Sequence, residues 1–228
     1  MSSIAIITAR GGSKRIPKKN IKEFYGKPMI AYAIDAARKS GIFDEIMVST
    51  DSEEIADVAR KYGANVPFFR SMETASDFAT TYDVLEEVLL KYSEDGKEYD
   101  DVCCIYPCVP FLKAATLKKA YEQYKNKYVD GLQPVCRYPV PIEWAMKLEN
   151  DILTPNDREL LLIRSQDLVP KYFDVGMFYY CRVKALLEEK SLTPLKTAGF
   201  VIDETECQDI DTLDDWKIAE IKYELLTR

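Results

Sequence analysis

Short apolar, β-branched runs alternate along the chain with stretches whose apolar positions repeat at helical spacing. Ser3 to Thr8 (SIAIIT) is a short β-branched run, and from Pro28 the stretch PMIAYAIDAARKSG repeats at helical spacing, with proline in its first turn and Gly41 just past its end. Glu45 to Thr50 reads as the next strand. Asp51, with Glu54 three residues on, resembles a capping box for a helix that runs to Tyr62 and closes at Gly63. Asn65 to Phe69 reads as a further strand, followed by a helix over Thr81 to Tyr92, a buried strand over Val102 to Tyr106 and a helix over Ala114 to Tyr124. Tyr121, Tyr124 and Tyr128, at i, i+3 and i+7, are expected to share one packed face. Strands and helices alternating at this length predict an α/β fold with a mostly parallel sheet covered on both sides.

The alternation breaks between about Arg137 and Lys171, where RYPVPIEW carries two prolines and a polar turn (ENDILTPND) leads into LLLIRSQDL. This stretch reads as an insertion that leaves the sheet, most simply an arm that packs on a second copy of the chain. The sheet pattern resumes at Met177 to Arg182, with a short helix at Lys184 to Glu189, a strand at Gly199 to Ile202 and a last helix from about Thr212 to Leu226. No repeat, low-complexity tract or linker marks a second unit. Residues 1–228 are therefore expected to form a single domain with an arm at about 137–171.

Composition narrows the chemistry. A chain of 228 residues can bury a full core without staples, and this one contains no histidine. That excludes a Ser-His-Asp or Cys-His nucleophile, a His-ligated zinc and an imidazole acid or base. Proton transfer falls to carboxylate, lysine, tyrosine or metal-bound water. The six cysteines form no C-x-x-C pair and read as those of a reduced, cytosolic protein. The apolar run Ile4 to Ile7 is followed by Arg and Lys rather than a cleavage site, and no stretch approaches 18 apolar residues. A soluble, cytoplasmic chain with no membrane partner is expected.

Charge is local. Residues 1–27 hold seven Lys/Arg and one acid, inside a chain of net charge −7. One basic loop on an acidic chain does not suit a nucleic-acid backbone, which wants a broad basic face; it suits a small polyanion such as a nucleoside triphosphate. The loop runs Ala9-Arg10-Gly11-Gly12-Ser13-Lys14-Arg15-Ile16-Pro17-Lys18-Lys19-Asn20. At a strand exit its glycines let backbone N–H groups turn inward as an anion nest, with Arg10, Lys14 and Lys19 available to neutralise phosphates. It is neither a Walker loop nor G-x-G-x-x-G. A solvated basic turn is the alternative, but charge alone does not require Gly-Gly there.

This loop, together with Asn20-Ile21, Gly26-Lys27-Pro28, Ser49-Thr50-Asp51 and Arg70, resembles the cytidylyltransferases that activate nonulosonic and related sugar acids, a group that includes the CMP-sialic acid synthetases. Within the group, SKRIPKKNI and Tyr106-Pro107-Cys108-Val109-Pro110-Phe111 are similar to the pseudaminic acid branch; sialic acid enzymes more often carry Gln-Pro where this chain has Tyr106-Pro107. The resemblance covers essentially the whole chain. It implies a three-layer, Rossmann-like nucleotidyltransferase fold with a dimerisation arm, and hence a homodimer. It also implies a reaction of CTP with a nine-carbon sugar acid giving the CMP-sugar and pyrophosphate for bacterial surface or flagellar glycans. On the same resemblance Ala9, Arg10, Gly11, Gly12, Ser13, Lys14, Lys19, Asn20, Arg70 and Tyr106 face the nucleotide, and Arg10, Lys19 and Asp211 are catalytic.

Arg164-Ser165-Gln166-Asp167-Leu168 and the stretch from Tyr172 to Phe178 place one arginine, one amide and two carboxylates close together in the chain. Such a set can grip a sugar acid, Arg164 on the carboxylate and Gln166, Asp167, Tyr172, Asp174 and Phe178 around it. An ion-paired arm surface is the alternative. Related enzymes tend to read Tyr-His-Asp-Ala-Gly-Gln-Phe, so Phe173 and Met177 are departures that bear on the sugar. Asp209 and Asp211 lie in a stretch from Asp203 to Asp215 with seven acids and no base. At i and i+2 in extended chain they face one way and can share a magnesium ion; capping of the last helix by Asp211 or Thr212 is the alternative. Thr80-Thr81 reads as a helix cap. A synthetase for CMP-N-acetylneuraminate, CMP-legionaminate or CMP-Kdo, or a non-catalytic nucleotide-binding module, remains open at this point.

Overall fold

Alternate side chains of the first strand decide the layering. In β1 (Ser3–Thr8), Ile4 and Ile6 belong to one apolar cluster and Ala5 and Ile7 to another, as the two-residue period of a strand requires. The computed structural model, which describes residues 2–227, continues with a two-residue hairpin pair β2 (Glu23–Phe24) and β3 (Lys27–Pro28), then α1 (Ile30–Ser40), β4 (Glu45–Ser49), α2 (Glu53–Tyr62), α3 (Thr81–Glu94), β5 (Asp101–Ile105) and α4 (Ala114–Asn126). After β6 (Gly131–Arg137) come a hairpin of β7 (Met146–Glu149) and β8 (Ile152–Pro155), a single turn α5 (Arg158–Leu161), then β9 (Tyr172–Asp174), β10 (Phe178–Arg182), α6 (Val183–Glu189), β11 (Thr197–Val201) and α7 (Leu213–Thr227).

The main sheet has the order β11-β6-β10-β5-β1-β4. β4, β1 and β5 pair in parallel, as do β6 and β11; β10 runs antiparallel between β5 and β6, and β9 adds antiparallel to the end of β6. Ala5 and Ile7 pack under α1, α2 and α4, whereas Ile4 and Ile6 pack under α3 and α6. The molecule is thus helix, sheet, helix in three layers. A third apolar cluster lies apart from both faces. It joins Ile16 of the basic loop and Phe24, Met29 and Tyr32 beside it to Phe111, Ile210 and Trp216, and so docks α7 against the loop.

Several expectations are corrected. Asn65 alone pairs in the sheet, with Met47, and the chain to Phe69 is loop; its Val-Pro-Phe-Phe run packs without a ladder because proline supplies no donor. Ser52, not Asp51, is the N-cap of α2 and accepts from the Ile55 N–H. Thr80 does cap α3, in a capping box with Asp83. Tyr121 and Tyr124 stack toward Tyr180, but Tyr128 is exposed beyond the helix at φ 51°. Arg137 ends β6 and Tyr172 begins β9, so the stretch between them, expected as the arm, leaves the main sheet, and β6 itself carries no simple alternation in sequence. The arm hairpin is exposed along its length, including Met146, Leu148, Ile152 and Leu153.

Candidate active site

The site grows from the ends of β1 and β4. The Ala9 N–H donates to the Ser49 carbonyl (3.0 Å), which prolongs the ladder by one bond and turns the chain out at Arg10. The Gly11 N–H donates to the Asp51 carboxylate (2.7 Å). A Cβ on Gly11 would lie 3.1 Å from the Ser52 Cβ, so a side chain here would press on the start of α2. Around Gly12 there is open space. Asn20, only 6% exposed, closes the loop on itself. Its amide donates to the Arg10 carbonyl (2.9 Å), its carbonyl accepts from the Ile30 N–H (2.8 Å), and its side-chain oxygen accepts from the Cys108 thiol (3.3 Å).

The loop's cations face a cleft with two compartments. One, of about 360 Å³, is lined by Arg10, Ser13, Lys14, Arg15, Lys19 and Asn20. The second, of about 260 Å³, is lined by Arg70, Thr74, Asp77, Thr80, Thr81 and Tyr106 among others. Thr8 and Arg10 border both. Arg10 and Lys14 converge on the two oxygens of Asp77 at 2.6 and 2.5 Å, and these bonds hold its carboxyl below the usual range. Arg15 pairs with Asp211 (2.8 Å), and Lys19 bonds the Ile210 carbonyl (2.7 Å) and Asp211 (3.3 Å). Lys18, at φ 53°, turns outward to Glu54.

Ile16 and Ile210 explain how two charged segments far apart in sequence meet. Each is buried in the third apolar cluster, and Arg15 beside the one meets Asp211 beside the other. Thr212 and Asp215 cap α7 reciprocally, the Thr212 N–H on the Asp215 carboxylate (2.7 Å) and the Asp215 N–H on the Thr212 hydroxyl (3.2 Å). The capping role is therefore filled without the carboxylates of Asp209 or Asp211. Burial, and next the charge of Asp211, push the Asp209 carboxyl up; among the described residues no Lys or Arg lies within 4 Å of it. The two present oxygen donors only, the chemistry a hard divalent cation prefers, although no cluster of three or more such ligands occurs among the described residues. Burial pushes the Cys108 thiol up to about 12, with Lys19, Asp209 and Asp211 all close enough to act on it.

In the second compartment Arg70 donates to the Ser49 hydroxyl (3.1 Å) and carbonyl (2.7 Å), and burial lowers its pKa. Tyr106 meets the Thr81 hydroxyl at 3.3 Å and the Tyr179 ring edge-on at 5.5 Å, and burial raises its phenol. Asp174 accepts from the Tyr179 hydroxyl (2.6 Å) and the Gly176 N–H (2.9 Å), while Tyr172 is exposed on β9. Phe178 is 0% exposed and packs the core, so it is not available to a sugar. Arg164 pairs with its own neighbour Asp167 (2.8 Å) on the exposed arm, and neither they nor Gln166 line the cleft. The loop, Arg70 and Tyr106 thus meet at the two compartments and Asp211 is bonded to the loop, while Asp209 lines neither compartment and the arm residues do not join them within one chain. Asp77 and Cys108 were not anticipated. Asp77 lies in a polar run with no periodicity, and Cys108 reads as a small core residue.

A cytidylyltransferase family model matches residues 4–224. Pseudaminic acid cytidylyltransferase of Campylobacter jejuni is 41% identical over 226 residues, covering 99% of this chain and 97% of that protein. CMP-N,N'-diacetyllegionaminic acid synthase of Legionella pneumophila is 35% identical over 230 residues, with 99% and 97% covered. Among solved structures, CMP:2-keto-3-deoxy-manno-octonic acid synthetase in complex with CTP shares the fold at a TM-score of 0.71 and 16% identity, covering 99% of each chain. With the family model spanning nearly its whole length and relatives this similar from end to end, the chain belongs to the cytidylyltransferase family.

Proposed function

We propose that this protein transfers CMP from CTP to a nine-carbon nonulosonic acid, pseudaminic acid, with release of pyrophosphate. The observation that carries the reading is the two-compartment cleft with Arg10 on the border, because a group-transfer enzyme must hold two substrates with the transferred phosphorus between them. The relative named for pseudaminic acid supplies the choice of acid. The acid's anomeric hydroxyl attacks the α-phosphorus in line, and the pyrophosphate leaves. Arg10, Lys14 and Lys19 bind the triphosphate; Lys19 is set before substrate arrives by its bonds to Ile210 and Asp211, whereas Arg10 and Lys14 rest on Asp77. Asn20 has spent its side chain on the loop, which leaves it a positioning role. Arg70 and Tyr106, which the resemblance gave to the nucleotide, line the second compartment and in this reading face the acceptor instead.

Asp209 and Asp211 would hold a magnesium ion, which when bound supplies neutralising charge to the phosphates. A nucleotide-sensing module without activity would not need these two carboxylates beside the loop, yet Asp211 is bonded to Arg15 and Lys19. No helix among the described residues is long and apolar enough to cross a membrane, and we place the activity in the cytoplasm. The exposed apolar hairpin of the arm is read as a homodimer contact that brings Arg164, Gln166 and Asp167 toward a neighbouring cleft.

Pyrophosphate release measured over the four nucleoside triphosphates and a panel of nonulosonic acids tests the proposal. Turnover with CTP and pseudaminic acid, at least tenfold above any other pair, is expected; a preference for N-acetylneuraminic, legionaminic or keto-deoxy-octulosonic acid would replace the acid, and a preference for another nucleotide would end the reading. In the same assay Arg164→Lys should raise KM for the acid about tenfold or more while leaving KM for CTP unchanged, since lysine cannot reproduce a bidentate fork. Equal changes in both would assign Arg164 to the arm's structure.

A further inference from the structure

Asp77 is the one carboxylate among the residues that line the second compartment. The other acids nearby are committed. Asp51 takes the Gly11 N–H, Asp83 closes the capping box of α3, and Asp174 takes Tyr179 and Gly176. Glu87 takes the Ser71 N–H (2.9 Å), the hydroxyls of Ser71 and Thr74, and Lys91 (2.5 Å). These bonds pin the segment that carries Asp77 at both ends: Glu87 holds Ser71 and Thr74 on one side, and Asp83 holds Thr80 on the other. Between the pins, Asp77 is held only by Arg10 and Lys14, and its neighbour Phe78 is 95% exposed. A triphosphate entering the first compartment needs those same two cations. Exposed ion pairs contribute little each and yield to a polyanion that engages both partners at once.

We propose that Asp77 is a counter-ion that the phosphates of CTP displace from Arg10 and Lys14, and that the freed carboxylate then accepts the proton of the acceptor hydroxyl. The inference rests on the assignment of the basic loop to the triphosphate. Arg10 borders both compartments, so the transferred phosphorus passes beside it, and Asp77 lies 2.6 Å from its guanidinium on the acceptor side. The step balances. The acceptor O–H breaks and its proton goes to an Asp77 oxygen; the acceptor oxygen forms its bond to the α-phosphorus; the bond from that phosphorus to the bridging oxygen breaks, and pyrophosphate leaves with the pair. While latched, Asp77 is a weak base, because Arg10 and Lys14 hold its carboxyl below the usual range. Losing both partners to the phosphates returns it toward an ordinary carboxylate, so proton acceptance is armed only when nucleotide is present. The charged and titratable groups facing it are Arg10 and Lys14 from the loop, and Arg70 and Tyr106 across the compartment.

Asp77→Asn keeps the shape and removes the charge. Calorimetric titration with CTP alone should give binding about three to ten times tighter than wild type, because no internal anion competes. Steady-state kcat for pyrophosphate release should fall about a hundredfold, and the decline of kcat on the acid side of its pH profile should vanish. Asp77→Glu should restore part of kcat and of that limb, and the melting temperature of both variants should match wild type. CTP binding as weak as wild type or weaker, or kcat within tenfold of wild type, overturns the proposal. Arg10→Ala, titrated with CTP in parallel, separates the two ideas. If it still binds CTP normally, the assignment of the loop is at fault; if it does not, a failure of Asp77→Asn falls on Asp77 alone.

Discussion

Arg10→Ala and Lys19→Ala are each expected to lower kcat/KM by a factor of about one hundred to one thousand, the scale for removing a positioned donor to developing charge. The two differ in what else they disturb. Arg10 is part-exposed, and among the described residues its ion pair is to Asp77, so its loss should leave the melting temperature unchanged. Lys19 is 20% exposed at its side chain and ties the loop to the Ile210 carbonyl and to Asp211. Its removal unpairs the Ile210 carbonyl and leaves Asp211 to Arg15 alone, a cost of roughly 1 kcal/mol, or about 2–4 °C in Tm for a chain of this size. Pyrophosphate release with saturating acid, alongside calorimetric melting, measures both. Near wild-type kcat/KM in the two variants would remove the loop from the reaction.

Asp209→Asn is expected to cost activity just as steeply, and it is the cleaner of the two acidic variants. Among the described residues no cation pairs with Asp209, whereas Asp211→Asn also breaks bonds to Arg15 and Lys19. Asparagine keeps size and oxygen donation but removes a charge that a hard cation needs, so excess magnesium should recover part of the loss by mass action. A titration of activity against free magnesium should therefore move to higher concentration in Asp209→Asn, with the folded baseline intact. Full wild-type activity in EDTA would end the metal assignment. A melting temperature that falls along with activity in Asp209→Asn would make the residue structural.

The sheet was legible because Ile4 to Ile7 and β5 beside β1 are short runs buried on both faces, set between stretches that repeat near 3.6. Asn65 to Phe69 misled because its apolar residues pack as loop, which composition alone does not separate from a strand. Asp51 was misread for a sharper reason. With Glu54 three residues on it has the form of a cap, but Ser52 takes that task and Asp51 is left to hold Gly11. The basic loop and the Asp209-Ile210-Asp211 segment could be proposed separately from charge; their meeting could not, since it depends on Ile16 and Ile210 sharing an apolar cluster. Asp77 was invisible for the opposite reason, as its partners lie 67 and 63 residues away and its own surroundings in sequence are plain polar loop.

The docking of α7 on the loop has a consequence for biosynthesis. Lys19 and the carbonyl it bonds are 191 residues apart. At translation rates of about 5–20 residues per second, the ribosome takes on the order of ten to forty seconds to deliver the second after the first. Through that interval the nascent sheet can form from contacts already made, but the basic loop has neither its apolar seat nor the acids that balance it, because Ile210, Asp211 and Trp216 are not yet present. Competence for phosphate chemistry therefore arrives late, with the segment from Asp209 into the last helix, and a chain stalled before Asp209 would lack a working centre.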